Sequence, residues 1–437
     1  MSWTFVLVTF LGGQVLLLLL GVPVAVAFFA INIVGAFVFM GGYPGELALV
    51  RNAVDAVANF TMSPIPMFIL MGEILFQSGV AQRAINAVDR LIVRVPGRLS
   101  LVAVTGGTIF ATLSGSTMAN TALLGSTLMP EMRRRGYHPS MAMGPILGTG
   151  GIAMLIPPSA LAVLLATLGE IPVGDLLIAG ILPGLLMASL FFGYVVLRCT
   201  LNPALAPNYE VRRYSWSERI VPVLTDVIPL FTLFAIVVGS ILGGFASPTE
   251  SAALGAVGAF LATACYGALS WQALKHSLLE TAKISAMIFF IVAAAITFSQ
   301  ILTFSGATSG LLRAVTGLDL APLQLVIAMM LILLVLGCFL DQVSMMMITL
   351  PFFMPLSQAA GIDLIWLGVL MLILLEIAFT TPPFGMLLFV MKAVAPKDIG
   401  MRQVYTAAMP FIALELLTVA IIIAVPSIAT WLPGFLK

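Results

Sequence analysis

"LGTGGIAMLIPPSALAVLLATLGE", residues 147–170, decides how this chain folds. The stretch is almost wholly apolar and long enough to cross a bilayer, which takes roughly 20 such residues. Yet Gly148, Gly150 and Gly151, and then Pro157 beside Pro158, stand in its middle. Glycine weakens a helix interior, and proline removes a backbone donor and clashes with the preceding turn. The stretch therefore reads as a helix unwound at membrane depth. Carbonyls and amides freed there are tolerated only where protein buries them or a ligand takes them up.

The same break recurs in "EIAFTTPPFGMLLF", 376–389, where Thr380 and Thr381 add hydroxyls. An offset of 225 residues separates the two proline pairs, Pro157-Pro158 and Pro382-Pro383. It also relates Pro23 to Pro248, Ser116 to Asp341, Met129-Pro130 to Met354-Pro355 and Gly136 to Gly361. One offset shared by so many unusual positions marks an internal repeat. The reading is of two homologous halves, 1–210 and 228–437, joined by a cytoplasmic linker at 211–227.

Spans are expected near 3–20, 22–40, 62–80 and 175–197, with a broken helix over 139–170. The second half repeats this near 221–243, 248–270, 284–304 and 404–433, with its broken helix over 363–395. Two further apolar segments, 98–131 and 322–357, carry polar centres, "LSGSTMAN" at 113–120 and "CFLDQVS" at 338–344. Each is too short for two spans with a loop and reads as a re-entrant helical hairpin. Five spans per half is an odd number, so the second half is expected upside down relative to the first. The fold class is an all-α polytopic membrane protein of two inverted repeats, each of about five transmembrane helices plus one re-entrant hairpin.

Of 437 residues, 61% are hydrophobic and 8% charged, so most segments have no polar face and a sizeable soluble domain has no room. With the hairpin at 98–131 entering from the cytoplasm, 16 of the 19 basic residues fall on the cytoplasmic side, Arg94, Arg98, Arg133, Arg212 and Arg213 among them. Arg51, Arg313 and Lys437 remain outside, and both termini are expected there too. "MSWTFVLVTFLGGQVLLLLLG", 1–21, lacks a basic leader and reads as a retained span. The segments 81–98 and 306–321 read as interfacial arms joining a mobile part to a fixed one, or as plain surface helices. "RRRGYH", 133–138, is an orientation anchor and not a nucleic-acid site.

Enzyme chemistry finds no foothold. Cys199, Cys265 and Cys338 are dispersed in apolar surroundings and His138 and His276 are the only histidines, so no metal cluster follows from ligand spacing. "GTGG" at 148–151 follows no strand and lacks the Lys-Ser/Thr of a phosphate loop. No Ser-His-Asp or HExxH constellation can be built.

Four helix breaks related in two pairs suit ion-coupled transport instead. Carbonyls at half-helix C-termini can coordinate a bare cation such as sodium, while half-helix N-termini can receive a carboxylate. No Arg or Lys lies within the breaks, so an anion would be held by dipoles, hydroxyls, Asn120 and bound cations. Asp341, at the second hairpin tip, either raises cation affinity or caps the following helix. Glu73, Glu250, Glu376 and Glu415 also lie in or near spans; Glu73 and Glu376 serve protonation or hold hairpins by hydrogen bonds.

"LSGSTMANTALLGSTLMPEMRRRGY", "GPILGTGGIAMLIPPSALAVLL", "LDQVSMMMITLPFFMP" and "EIAFTTPPFGMLLFV" together resemble the large membrane subunit, DctM type, of tripartite ATP-independent periplasmic (TRAP) transporters. The resemblance spans essentially the whole chain. It implies a bacterial or archaeal inner-membrane permease of elevator type, importing small organic acids on a sodium gradient. It implies two partners, a periplasmic substrate-binding protein and a small four-span membrane subunit, expected here as a separate polypeptide. Ser114, Gly115, Ser116, Gly150, Gly151 and Pro157 then correspond to one sodium site, and Gly337, Asp341, Thr380, Thr381 and Gly385 to a second. Ser116, Thr117, Asn120, Pro158, Ser159 and Thr381 are the expected substrate contacts. The alternative is an autonomous sodium-coupled anion transporter that needs no binding protein.

Overall fold

The computed structural model describes residues 2–92, 95–207 and 214–435. Arg94, Arg212, Arg213 and Lys437, and residues 211–213 of the expected linker, lie outside the described residues. Among the described residues the structure is helical throughout, with no strand. Five helices are long and apolar enough to cross a membrane, or six if the pair Pro139–Leu155 and Ala160–Leu168, bent by 47°, is one span. With the shorter apolar helices Trp3–Leu19, Val24–Phe39, Arg98–Ser114, Pro322–Gly337 and Leu364–Thr380, this is a multi-pass membrane protein.

Both expected hairpin segments are helix pairs: Arg98–Ser114 with Thr117–Arg134, and Pro322–Gly337 with Gln342–Ala359. Polar N-caps start the inner helices. Ser116 Oγ accepts from Ala119 N at 3.3 Å, and the Asp341 carboxylate accepts from Val343 N at 3.0 Å and Ser344 N at 3.3 Å. The first broken helix runs as Pro139–Gly150, Ile152–Leu155 and Ala160–Leu168, the second as Leu364–Thr380 and Met386–Val394.

Three features depart from the apolar-run reading. A separate helix, Tyr43–Val57, occupies a stretch where no span is expected, because its Glu46, Arg51 and Asp55 hide it from a search for membrane-length apolar runs. The span expected at 284–304 starts earlier, as Trp271–Phe304, since nothing breaks it where the first half has Pro64 and Pro66. Most of the expected linker is helical: Ser215 and Glu218 form a capping box that starts Trp216–Pro222, which continues through a π turn into Ile228–Leu242.

The helices pack as two groups. Pro64–Gln77 packs against Pro248–Cys265 and Trp271–Phe304, and Trp271–Phe304 against Val24–Phe39 and Tyr43–Val57. In the other group Pro139–Gly150 packs against Met401–Ala424 and both helices of the first hairpin, and Pro322–Gly337 against Leu364–Thr380. Lipid tails are as apolar as Leu, so close shape fit rather than hydrophobic burial holds such helices together. Phe411 shows how: Cβ atoms on Gly144 and Gly148 would each stand 2.5 Å from its ring, so the two glycines open the groove it fills. Phe191 and Tyr194 close over the same ring at centroid distances of 5.3 and 5.5 Å. This wedge fixes the register that carries Glu415, one turn further on, to Gly151.

Candidate functional site at the meeting of the hairpin tips

Each hairpin tip lies against the helix break of its own half. Gly115 turns the first tip with φ +57°, and a Cβ there would stand 2.8 Å from Pro158 O. The backbone thus meets the Pro158-Ser159 peptide with no side chain between them. Thr117 Oγ1 lies 3.3 Å from Gly150 O, and Ser114 Oγ accepts from Ser116 N at 3.3 Å. In the second half a Cβ on Gly337 would stand 2.3 Å from Ala378 Cβ, and the rings of Phe339 and Phe384 lie 6.1 Å apart. The Thr380 and Thr381 hydroxyls both donate to Ile377 O, at 3.0 and 2.6 Å, and Gly385 N donates to Thr381 O at 3.0 Å.

The two tips meet at Glu376, which is 1% exposed. Its Oε2 accepts from Gln342 Nε2 at 2.9 Å and lies 3.2 Å from Thr117 Oγ1. Thr117 and Gln342 are counterparts at the 225-residue offset, each the first residue of an inner hairpin helix. The counterpart of Glu376 itself is Gly151, and a Cβ on Gly151 would stand 2.7 Å from Glu376 Cγ and 3.0 Å from Glu415 Oε1. At this centre one half supplies a carboxyl and the other the space it needs. Residues 116, 117, 341 and 376 carry sequence signals, whereas Gln342, Met154 and the approach of Glu415 do not. Gln342 is legible only through its offset from Thr117.

A cavity of about 660 Å³ opens beside the tips, between the two helix groups. Ser114, Gly115, Ser116 and Thr117 line it from the first tip, and Asp341 and Gln342 from the second. Facing them are Glu73 and the apolar side chains Phe68, Ile288 and Ile291. Its lining includes no Arg, Lys or His. Of the expected substrate contacts, Ser116 and Thr117 face this cavity. Asn120 and Ser159 are buried, the first donating to Thr149 O at 3.2 Å and the second accepting from Ala162 N at 3.2 Å. Pro158 and Thr381 lie within the two breaks.

Helix Pro64–Gln77 touches the first tip where Gly72 meets Ser114 O, at 2.3 Å from the position a Cβ would take. The arm Val80–Leu91 is tied to the hairpin by Arg98, whose guanidinium reaches Asp89 Oδ1 at 2.8 Å, Asp89 O at 2.6 Å and Ile92 O at 2.5 Å. Arg98, counted from sequence among the basic residues of the cytoplasmic side, is buried. At the same end of the first hairpin Arg133 pairs with Asp398, which follows the second broken helix. That bond holds the Asp398 carboxyl below its usual range.

Paired hairpins against broken helices define a polytopic membrane transport protein, and comparison with known proteins gives the family. The chain belongs to the family described as "Tripartite ATP-independent periplasmic transporter, DctM component", which it matches over residues 11–428. It is therefore a large permease component and not an enzyme. It is 33% identical to the C4-dicarboxylate TRAP transporter large permease protein DctM of Pseudomonas aeruginosa, over 90% of this chain and 94% of that one. It is 31% identical to the ectoine TRAP transporter large permease protein TeaC of Halomonas elongata, over 95% and 96% of the two chains. Among solved structures, the YdaH transporter of Alcanivorax borkumensis superposes with a TM-score of 0.60 at 17% identity, covering 91% of this chain and 90% of its own. That likeness is one of fold.

Proposed function

We propose that this protein is the permease of a sodium-coupled, binding-protein-dependent importer of small organic acids in the bacterial or archaeal inner membrane. The observation that carries this reading is the cavity at the hairpin tips. Its lining holds the carboxyls of Glu73 and Asp341 and the hydroxyls of Ser114, Ser116 and Thr117, and no basic side chain. An anion desolvated there would face carboxylates without a counter-charge, which is costly at membrane depth. Cations bound together with the solute remove that cost. Coupling thus follows from charge balance: the anionic solute does not occupy the cavity well without its cations.

The carbonyls and hydroxyls of Ser114, Gly115, Ser116, Gly150, Gly151 and Pro157 are proposed for one sodium ion, and those of Gly337, Asp341, Thr380, Thr381 and Gly385 for a second. These groups are oxygen donors or lie in backbone freed by a break, which suits a hard monovalent cation. The cavity lies between the two helix groups, so sliding the hairpin group against the other would carry it across the membrane. At Gly72 and Ser114 the two groups meet with no side chain between their backbones. The partners in this reading are a small four-span subunit and a periplasmic binding protein.

A second reading is favoured by the same two acids: a zwitterionic solute whose cationic group faces Glu73, in keeping with the ectoine relative. Uptake into liposomes holding this chain and its small subunit, with a solute panel spanning dicarboxylates and zwitterions, tests both. Uptake driven by an inward sodium gradient and requiring the binding protein supports the proposal. Sodium-driven uptake without that protein indicates an autonomous transporter, and uptake indifferent to sodium rejects the coupling.

A further inference from the structure

We infer that Glu376 is a positioning residue that links the two hairpin tips, so that ordering one tip around its sodium ion favours ordering of the other. The inference rests on the sodium-coupled reading above and adds to it how the two ion sites communicate.

Three observations carry it. A single carboxylate oxygen, Glu376 Oε2, takes the Gln342 amide at 2.9 Å and stands 3.2 Å from the Thr117 hydroxyl, so both tips converge on one atom. Glu376 is 1% exposed and its Oε1 has no partner among the described residues, so the carboxyl depends on the groups that the two tips bring to Oε2. Across it lies Gly151, part of the first break, close enough that a Cβ there would stand 2.7 Å from Glu376 Cγ, so the first break packs directly on this side chain. Withdrawing either tip therefore strips a hydrogen bond from a buried carboxyl, and the penalty falls on a group the other tip also holds. Each tip is more stable when its partner is in place. Such a link is a coupling free energy, and it acts equally in both directions.

Asp341 and Ser116, although adjacent to Gln342 and Thr117, do not supply the link. Asp341 is occupied by Ser344 and by the backbone of its own helix, and Ser116 by Ala119 N. Met154 Sδ, 3.2 Å from Gln342 Nε2, helps aim that amide from the first broken helix.

The test is the sodium dependence of uptake by the reconstituted transporter, complete with its partners, read as a Hill coefficient and a half-saturating concentration. Wild type should be cooperative. Gln342→Leu removes one arm and should bring the Hill coefficient to about 1 while raising half-saturation about fivefold or more. Glu376→Gln keeps an acceptor oxygen for both donors and should retain cooperativity, whereas Glu376→Leu should lose it. Because Gln342→Leu breaks the contact and Glu376→Gln changes the same site while keeping it, misfolding cannot mimic the expected pattern. Cooperativity kept in Gln342→Leu, or lost in Glu376→Gln, overturns the inference alone. A non-cooperative sodium response in wild type also overturns it. A wild-type protein with no sodium response overturns the sodium reading first.

Discussion

Gly151 and Glu376 stand 225 residues apart at equivalent positions of the two halves, and in the fold they touch: a Cβ on Gly151 would lie 2.7 Å from Glu376 Cγ. A repeat that brings equivalent positions together at its centre has room there for one large side chain. This chain places glutamate on one side and glycine on the other.

Gly151→Ala should therefore destabilise the protein by overpacking, by about 1–3 kcal/mol. Its backbone, with φ −58°, accepts alanine without strain, so the effect comes from the contacts with Glu376, the tighter of the two, and Glu415. Glu376→Ala removes the atom that Cβ would strike, and the double variant should lose less than the sum of the two single changes. Thermal unfolding of the purified variants in detergent checks this; strict additivity would show that the two side chains do not compete for the space.

How much of this is legible in the sequence follows from the same pair. The breaks are local, because two prolines among glycines unwind a helix whatever surrounds them. The offset between halves is written directly in the chain, at Pro157 and Pro382. The convergence on Glu376 is not local: it depends on how deeply the tips penetrate and on the register that Phe411 sets against Gly144 and Gly148. Tyr43–Val57 escapes for a different reason, since its apolar stripe is interrupted by Glu46, Arg51 and Asp55 and no long apolar window contains it. Arg98 is visible as a charge but not as a buried one, because its pairing with Asp89 exists only in the fold.

Asp341 carries two roles that substitution can separate. It caps the second inner helix through Val343 N and Ser344 N, and it lines the cavity. Asp341→Ser keeps a capping oxygen and removes the charge, whereas Asp341→Ala removes both. The alanine variant should lose roughly 1 kcal/mol more stability than the serine variant. Both should weaken the sodium response of uptake; serine at 341 with an unchanged response would make the residue a cap and nothing more.

Arg98 should tolerate no replacement well. Its guanidinium donates to Ile92 O at 2.5 Å and Asp89 O at 2.6 Å while pairing with the Asp89 carboxylate at 2.8 Å, a fork that a lysine ammonium on a flexible stem cannot reproduce. Hydrogen bonds to a charged group contribute about 1.5–3 kcal/mol each when well buried, and the partly exposed Asp89 lowers that figure for its pair. Arg98→Lys and Arg98→Ala should both lower the melting temperature, with lysine recovering only part of the loss. Full recovery by lysine would reduce the latch to a simple ion pair.

The Arg133–Asp398 pair predicts a pH dependence with a definite sign. Its hydrogen bond holds the Asp398 carboxyl below the ordinary 3.8, so its contribution is present above that range and fades as pH falls through the lowered value. Wild type and Asp398→Asn should differ slightly near neutral pH and converge in acid. Both partners are exposed, so added salt should shrink the difference. A gap that widens in acid would contradict the assignment.

The central claim is that solute and sodium share the cavity at the hairpin tips and cross together. The most direct test loads liposomes containing the permease and its small subunit, then follows radiolabelled sodium and labelled solute in the same vesicles as the binding protein delivers its cargo. The account predicts that solute arrival draws sodium inward at a fixed ratio, and that Asp341→Ala depresses both fluxes together. Solute entering with no accompanying sodium would contradict it.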